Sequence, residues 1–202
     1  MVGFAARVKL SGLGRPSGGV VVLIAVVALA ALTVPLAGGR LGALVEVRLR
    51  RVWAIFLGLG LEIAAIDLPG LSDGMRAALL VAAYPVLAVF LVANWRLPGI
   101  PVVALGGALN LLAIAVNGGV MPASPAALAG AGLDPAAPGF QNSTAVDDPR
   151  LAFLGDVFYI PASWPLSNVF SIGDVLIALG VAWAVHGICR SRLAPSWTRQ
   201  PS

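Results

Sequence analysis

VFSIGDVLIALGVAWAVHGIC, Val169–Cys189, decides the fold class. At 1.5 Å per residue it is long enough as a helix to cross the ~30 Å hydrocarbon of a bilayer. It carries one acid, Asp174, near its head. A carboxylate at the centre of a spanning helix costs roughly 2.5–3.5 kcal/mol on insertion scales, so an acid here needs a physical reason.

Four further apolar runs have spanning length: Gly19–Ala37, Val52–Leu68, Ala77–Trp95 and Gly99–Asn117. The chain is 59% hydrophobic and 11% charged, where a soluble domain is nearer half and a quarter. Its apolar residues lie in blocks, not at the periods of an amphipathic helix or strand. The expected fold is all-α: a polytopic integral membrane protein with about five transmembrane helices. Residues 1–18 form an N-terminal extension and 19–189 a single transmembrane domain. Residues 118–168 form one long extracytoplasmic loop, and 190–202 a tail.

The net charge of +4 does not imply a nucleic-acid partner, because the arginines flank apolar runs, where they orient the chain. With the C-terminus cytoplasmic, Arg40, Arg48, Arg50, Arg51, Arg96, Arg190, Arg192 and Arg199 lie inside. Arg7, Lys9, Arg15, Arg76 and Arg150 lie outside. This orientation places the loop 118–168 outside a plasma membrane. The twelve-to-one excess of arginine over lysine suggests a GC-rich bacterial source. The basic start is on the wrong side for the rule. A signal peptide or a misassigned start would each account for it, and Pro35-Leu36-Ala37 is a poor cleavage site. Cys189 is single, so no internal disulfide is expected, and His186 reads as a polar tip at the interface.

Between the runs, Leu41–Arg51 fits both an alternating extended segment and a helical stripe, interfacial in either case. Ser124-Pro125 before an alanine-rich stretch reads as a capped short helix. Asp134–Asp148 is rich in turn residues. Phe153-Leu154 and Val157–Ile160 are too apolar for a free loop, so they should pack on the spans or the membrane.

Depth along the spans points to a polar layer. Asp174 lies ~7 Å, Glu62 ~9 Å and Asn110 ~10 Å from the outer ends of their runs. Asn110 and Asn117 are two helical turns apart and share a face. Ser171, one turn before Asp174, can bond to it. These groups could simply lock the helices: the dipole at a helix head favours a carboxylate, and Gly173, Gly180 and Ala184 form a ridge suited to close packing. They could equally line a cavity open to the outside. Asp156, in Leu154-Gly155-Asp156, is the other candidate acid and otherwise a turn or cap residue.

Gly38-Gly39-Arg40-Leu41, Asn117-Gly118-Gly119-Val120-Met121-Pro122, Leu154-Gly155-Asp156 and Phe170-Ser171-Ile172-Gly173-Asp174-Val175-Leu176, in this order, resemble a family of bacterial membrane proteins, the domain of unknown function 5317. The resemblance covers Val20 to Ile188 and implies a small polytopic protein, with no activity attached. Phe170, Asp174 and Gly180 also resemble the last helix of lipoprotein signal peptidase, an aspartyl protease, with Ser171 in place of that family's asparagine. Leu105-Gly106-Gly107-Ala108-Leu109 is similar to the stretch before its other catalytic aspartate. That aspartate is lacking here, where Ala113 and Ile114 stand.

The leading expectation is a non-enzymatic membrane protein. It would bind a partner protein or lipid through the outer loop and polar layer, with membrane lipids around it and no cofactor or metal. No complete catalytic set of nucleophile and base is visible. The first alternative is an aspartyl hydrolase using Asp174 with Asp156 or Glu62, since such chemistry needs two carboxylates sharing a proton. The second is a small proton-coupled transporter using Glu62 and Asp174.

Overall fold

In the computed structural model the described residues are 18–134, 143–164 and 166–194. The N-terminal extension up to residue 17, part of the turn-rich 134–148 stretch and the end of the tail lie outside them. The apolar runs form helices: α1 (Gly18–Leu36), α3 (Trp53–Asp67), α4 (Asp73–Ala93), α5 (Ile100–Val116) and α7 (Ile172–Ile188). Two short helices, α2 (Ala43–Glu46) and α6 (Pro125–Ala131), complete the set. The fold is mostly helical. Among the described residues α4 is the one helix long and apolar enough to cross a membrane by length and composition; the apolar segments of α1, α3, α5 and α7 are shorter.

Helix boundaries follow local chemistry. Ser72 caps α4, its Oγ accepting from Met75 N–H at 3.3 Å. The last carbonyls of α3 have no intrahelical donors. Arg76 supplies them, donating from Nη1 to the carbonyls of Ala65 and Ile66 and from Nη2 to that of Leu68 (2.9 Å). Helix α6 begins with Pro125, but Ser124 makes no side-chain cap bond. Its N–H donates to the Asp156 carbonyl (3.0 Å), which ties the start of α6 to the segment around Asp156. The Leu41–Arg51 stretch divides between its two readings, as one turn of helix and then extended backbone at Val47.

Helix α5 packs on α7, α3 on α4, α1 on α7, and α4 joins the pairs through α5. The α5–α7 contact is the closest. Gly106 faces Gly173 and Gly99 faces Gly180, so the two helices run antiparallel with glycine backbones touching. A Cβ on Gly99 would collide with the Gly180 carbonyl oxygen, and one on Gly106 would meet the Gly173 carbonyl oxygen at 2.5 Å. Gly99 also holds φ 79°, a conformation that glycine adopts without a steric penalty. The ridge expected from Gly173 and Gly180 is therefore a two-sided seam.

Beyond the end of α5 the chain builds a small cap. Strand β1 (Met121–Pro122) pairs in parallel with β2 (Ser143–Thr144), and β3 (Phe158–Ile160) pairs antiparallel with β4 (Asn168–Phe170). Phe158 and Phe170 stack with ring centroids 5.5 Å apart. Ala123, Ala127, Leu128, Ala131 and Val169 form the cap's own core. Leu154 and Met121 pack on Ala113 and Ile114 of α5, against Tyr84 of α4. Leu154 thus packs back on the bundle as its apolarity requires, while Phe153 beside it is exposed.

The seam makes a direct prediction. Gly106→Ala should lose about 1–3 kcal/mol by overpacking, seen as a lower melting temperature in detergent. Gly107→Ala, where a Cβ meets nothing within 4 Å, should be neutral or up to ~1 kcal/mol stabilising through helix propensity. Equal effects at the two positions would refute the seam.

Candidate functional site

Strand β4 takes residues 168–170, so α7 begins at Ile172, three residues later than the apolar run suggests. Asp174 is therefore at the third position of its helix, not five residues deep in a span. Ser171 is the N-cap, and the two form a reciprocal capping box. Ser171 Oγ accepts from Asp174 N–H (3.0 Å), and an Asp174 carboxyl oxygen accepts from Ser171 N–H (2.9 Å). Orphan donors of the first helical turn are satisfied in both directions. The helix dipole adds to this, favouring negative charge at the N-terminus. These bonds resolve the cost of an acid in an apolar run: Asp174 belongs to the helix end.

The second carboxyl oxygen of Asp174 accepts from Asn110 Nδ2 on α5 at 2.9 Å. Asn110 Oδ1 in turn lies 2.8 Å from Ser171 Oγ, which donates either to it or to Asp174, 2.9 Å away. Ser171 and Asn110 are buried. A three-residue ring of hydrogen bonds therefore joins α5 to the head of α7. Gly173 makes it possible, because a Cβ there would fall on Asn110 Oδ1.

The other candidate acids are on other elements. Asp156 is buried at the base of the cap, bridged to Ala123. Its N–H donates to the Pro122 carbonyl at 2.9 Å, and its carbonyl accepts from Ser124. Gly155 permits the approach, since a Cβ would strike the Pro122 carbonyl oxygen. Glu62 is half-buried on α3. Glu62, Asp174 and Asp156 are all within electrostatic reach of Tyr84, half-buried on α4. Sequence reasoning did not select Tyr84, although a phenol preceding Pro85 in the middle of an apolar run was the available signal. Among the described residues, no group of three His, Cys, Asp or Glu is arranged to hold a metal.

Asn117 does not join the layer with Asn110. It is the C-cap of α5, two turns beyond Asn110, and its side chain bonds elsewhere than the ring. Its Nδ2 donates to the carbonyls of Ala113 (2.7 Å) and Arg150 (2.8 Å), and its Oδ1 accepts from Arg150 N–H (2.9 Å). It ties the cap to the bundle. Asn94, the C-cap of α4, does the same at the other end, with Nδ2 donating to the carbonyls of Phe90 and Arg50 and Oδ1 accepting from Arg50 N–H. Arg51 and Leu151, the residues after these two arginines, both hold positive φ. His186 is buried, not an interfacial tip. Its Nδ1 is 2.8 Å from Ser191 Oγ and its Nε2 3.3 Å from Thr33 Oγ1, which joins α7 to α1.

Of the elements that carried the family resemblance, residues 170–176 supply Gly173 to the seam and Ser171 and Asp174 to the ring, while residues 117–122 and 154–156 form part of the cap. The model of the family of unknown function DUF5317 matches residues 46–186. The chain belongs to this family. The DUF5317 match covers α3 to nearly the end of α7 and so contains the Asp174–Asn110–Ser171 ring, Tyr84 and the cap. An uncharacterized protein of Thermotoga maritima is 29% identical over 106 residues, 52% of this chain and 61% of that protein. The match therefore spans about three fifths of that relative's length. No solved structure matches the chain.

Ser171→Ala and Asp174→Asn should each lower stability by about 1–2 kcal/mol, the range for losing a helix cap. An asparagine at 174 offers one acceptor oxygen to donors that met two. The double variant should lose less than the sum, with a coupling of at least ~0.5 kcal/mol, because both changes open one ring. Reversible unfolding in detergent measures this, and strict additivity would mean the bonds act independently.

Proposed function

We propose that this protein is a multi-pass, non-enzymatic membrane protein whose outer cap docks on the membrane surface or on a membrane-embedded partner. The observation that carries the reading is the contrast between the ring and the cap surface. The carboxyl oxygens of Asp174 are engaged by Asn110 and Ser171, an arrangement suited to holding helices. The cap, by contrast, exposes large apolar residues, with Phe153 67%, Trp164 66% and Leu166 60% exposed. Large apolar side chains left in water favour an apolar neighbour.

Multi-pass insertion draws support from the bundle surface. Only 11% of the apolar window of α4 is buried, so it is not the core helix of a soluble protein. Its start at Asp73 is far from a leader. The shorter helices expose Ile24, Leu29, Phe56, Ile63, Leu105 and Leu179 in the same manner. At 15–19 residues they are ~22–28 Å long, which a thinned bilayer and flanking arginines accommodate. The arginine distribution favours a cytoplasmic C-terminus and an outer cap.

A second reading, a membrane aspartyl hydrolase, is favoured by one observation: Glu62, Asp174 and Asp156 all act electrostatically on Tyr84. It requires Asp156 or Glu62 to act with an Asp174 already held by the ring.

Three experiments test these readings. In a Cys189→Ala background, an impermeant maleimide applied to intact cells should label Ser163→Cys. It should reach Arg192→Cys only after permeabilisation; the reverse pattern inverts the orientation. A photo-crosslinking side chain at 153 or 164 should yield lipid adducts or one discrete protein adduct, and at Asp148 neither. Indiscriminate adducts at all three positions remove the docking surface. Complete loss of the cellular phenotype in Asp156→Asn at normal abundance would favour the hydrolase.

A further inference from the structure

The end of the bundle opposite the cap holds an open cleft of about 990 Å³ between α2, the start of α5 and the end of α7. Arg40, Arg96 and Arg190 line it, with Glu46 as the one acid. The Arg40–Glu46 pair spans 3.6 Å and is largely exposed, so an anion can take Arg40 over at little cost. Arg96 lies over the Trp95 ring, 5.5 Å from its centroid, which keeps the guanidinium on the cleft side of an exposed indole. Below this cationic mouth the walls turn apolar, with Val47, Val102 and Ile188.

We propose that this cleft binds an anionic phospholipid, with the lipid phosphate between the arginines and the upper acyl chain on the apolar walls. The proposal rests on the membrane reading above. Guanidinium forks match phosphate oxygens in charge and in bidentate geometry. A tryptophan at the mouth suits the headgroup layer. Next to the cleft, α2 leaves Val45 90% exposed and Leu44 partly so. These side chains reach hydrocarbon only if this end of the bundle lies at the interface. The cleft volume is at the upper end of small-ligand pockets, more than a phosphate alone needs. An acidic peptide would supply charge for the arginines but no tail for the apolar walls.

The test uses the full chain in a neutral detergent, titrated with phosphatidylglycerol, phosphatidylcholine or inorganic phosphate, and read by melting temperature and native mass spectrometry. Phosphatidylglycerol should stabilise saturably and bind at least about tenfold tighter than phosphatidylcholine. Each of Arg40→Gln, Arg96→Gln and Arg190→Gln should weaken it about fivefold, the effect of one basic residue near anionic lipid. The triple variant should lose the preference while melting as wild type without lipid. If it does not fold, the triple lysine variant replaces it. That variant should keep the preference and bind about fivefold or more weakly, through loss of the forks; unchanged affinity would overturn the proposal. Arg150→Gln at the cap end should change nothing. Equal binding of the two lipids, a preference surviving the triple glutamine change, or equal stabilisation by inorganic phosphate would each overturn it. A protein that passes the maleimide test yet shows no preference defeats this proposal alone. Failure of the maleimide test defeats the membrane reading beneath it.

Discussion

The contact between Gly106 and Gly173 is the constraint on which the rest depends. Helices whose backbones touch leave no room for side chains at the crossing, so glycine is required on both. The same closeness brings the short Asn110 side chain of α5 within reach of the Asp174 carboxyl on α7. A longer interaxial distance would leave that gap to water or to nothing. Packing and polar bonding therefore fix one register. The seam sets the distance and the ring sets the sliding position, and a shift of one turn along α7 would lose both.

Polar groups in this chain concentrate where helices end. Ser171 and Asp174 satisfy the amides at the head of α7, while Arg76 satisfies the carbonyls at the foot of α3. Asn94 and Asn117 meet the same need at the C-termini of two consecutive helices. Each donates to its own helix and pairs both ways with the backbone of a distant arginine. The physical cause is shared: terminal amides and carbonyls lack intrahelical partners, and near an apolar environment water is a poor substitute. An asparagine carries both donors and an acceptor, so one side chain finishes a helix and holds the next segment of chain.

How much of this was legible in the sequence differs by element. The long helices were legible because blocks of apolar residues leave no other economical structure. The capping bond between Ser171 and Asp174 was legible from spacing alone, and Asn110 from its depth. What failed was position at the ends. Val169 and Phe170 are apolar enough to extend the last run, but they pair with β3, and nothing in a strand of three residues shows an alternation to read. That shift moved Asp174 from a buried oddity to a helix cap. Asn117 keeps its two-turn spacing from Asn110, but as the C-cap its side chain is taken by the Ala113 carbonyl and the Arg150 backbone. Gly99 and Gly106 are unremarkable in sequence, because a seam is a property of two helices and only one ridge can be seen at a time.

Not every polar residue sits at a helix end. Tyr84 lies in the middle of α4, beside Pro85, and Glu62 is five residues from the end of α3. Neither is placed to cap a helix, and Tyr84 lies within electrostatic range of Glu62, Asp174 and Asp156. A phenol tolerates such a place through its large apolar ring, whereas a carboxylate there needs a polar or charged partner. The capping role that explains Asp174 therefore does not extend to Glu62.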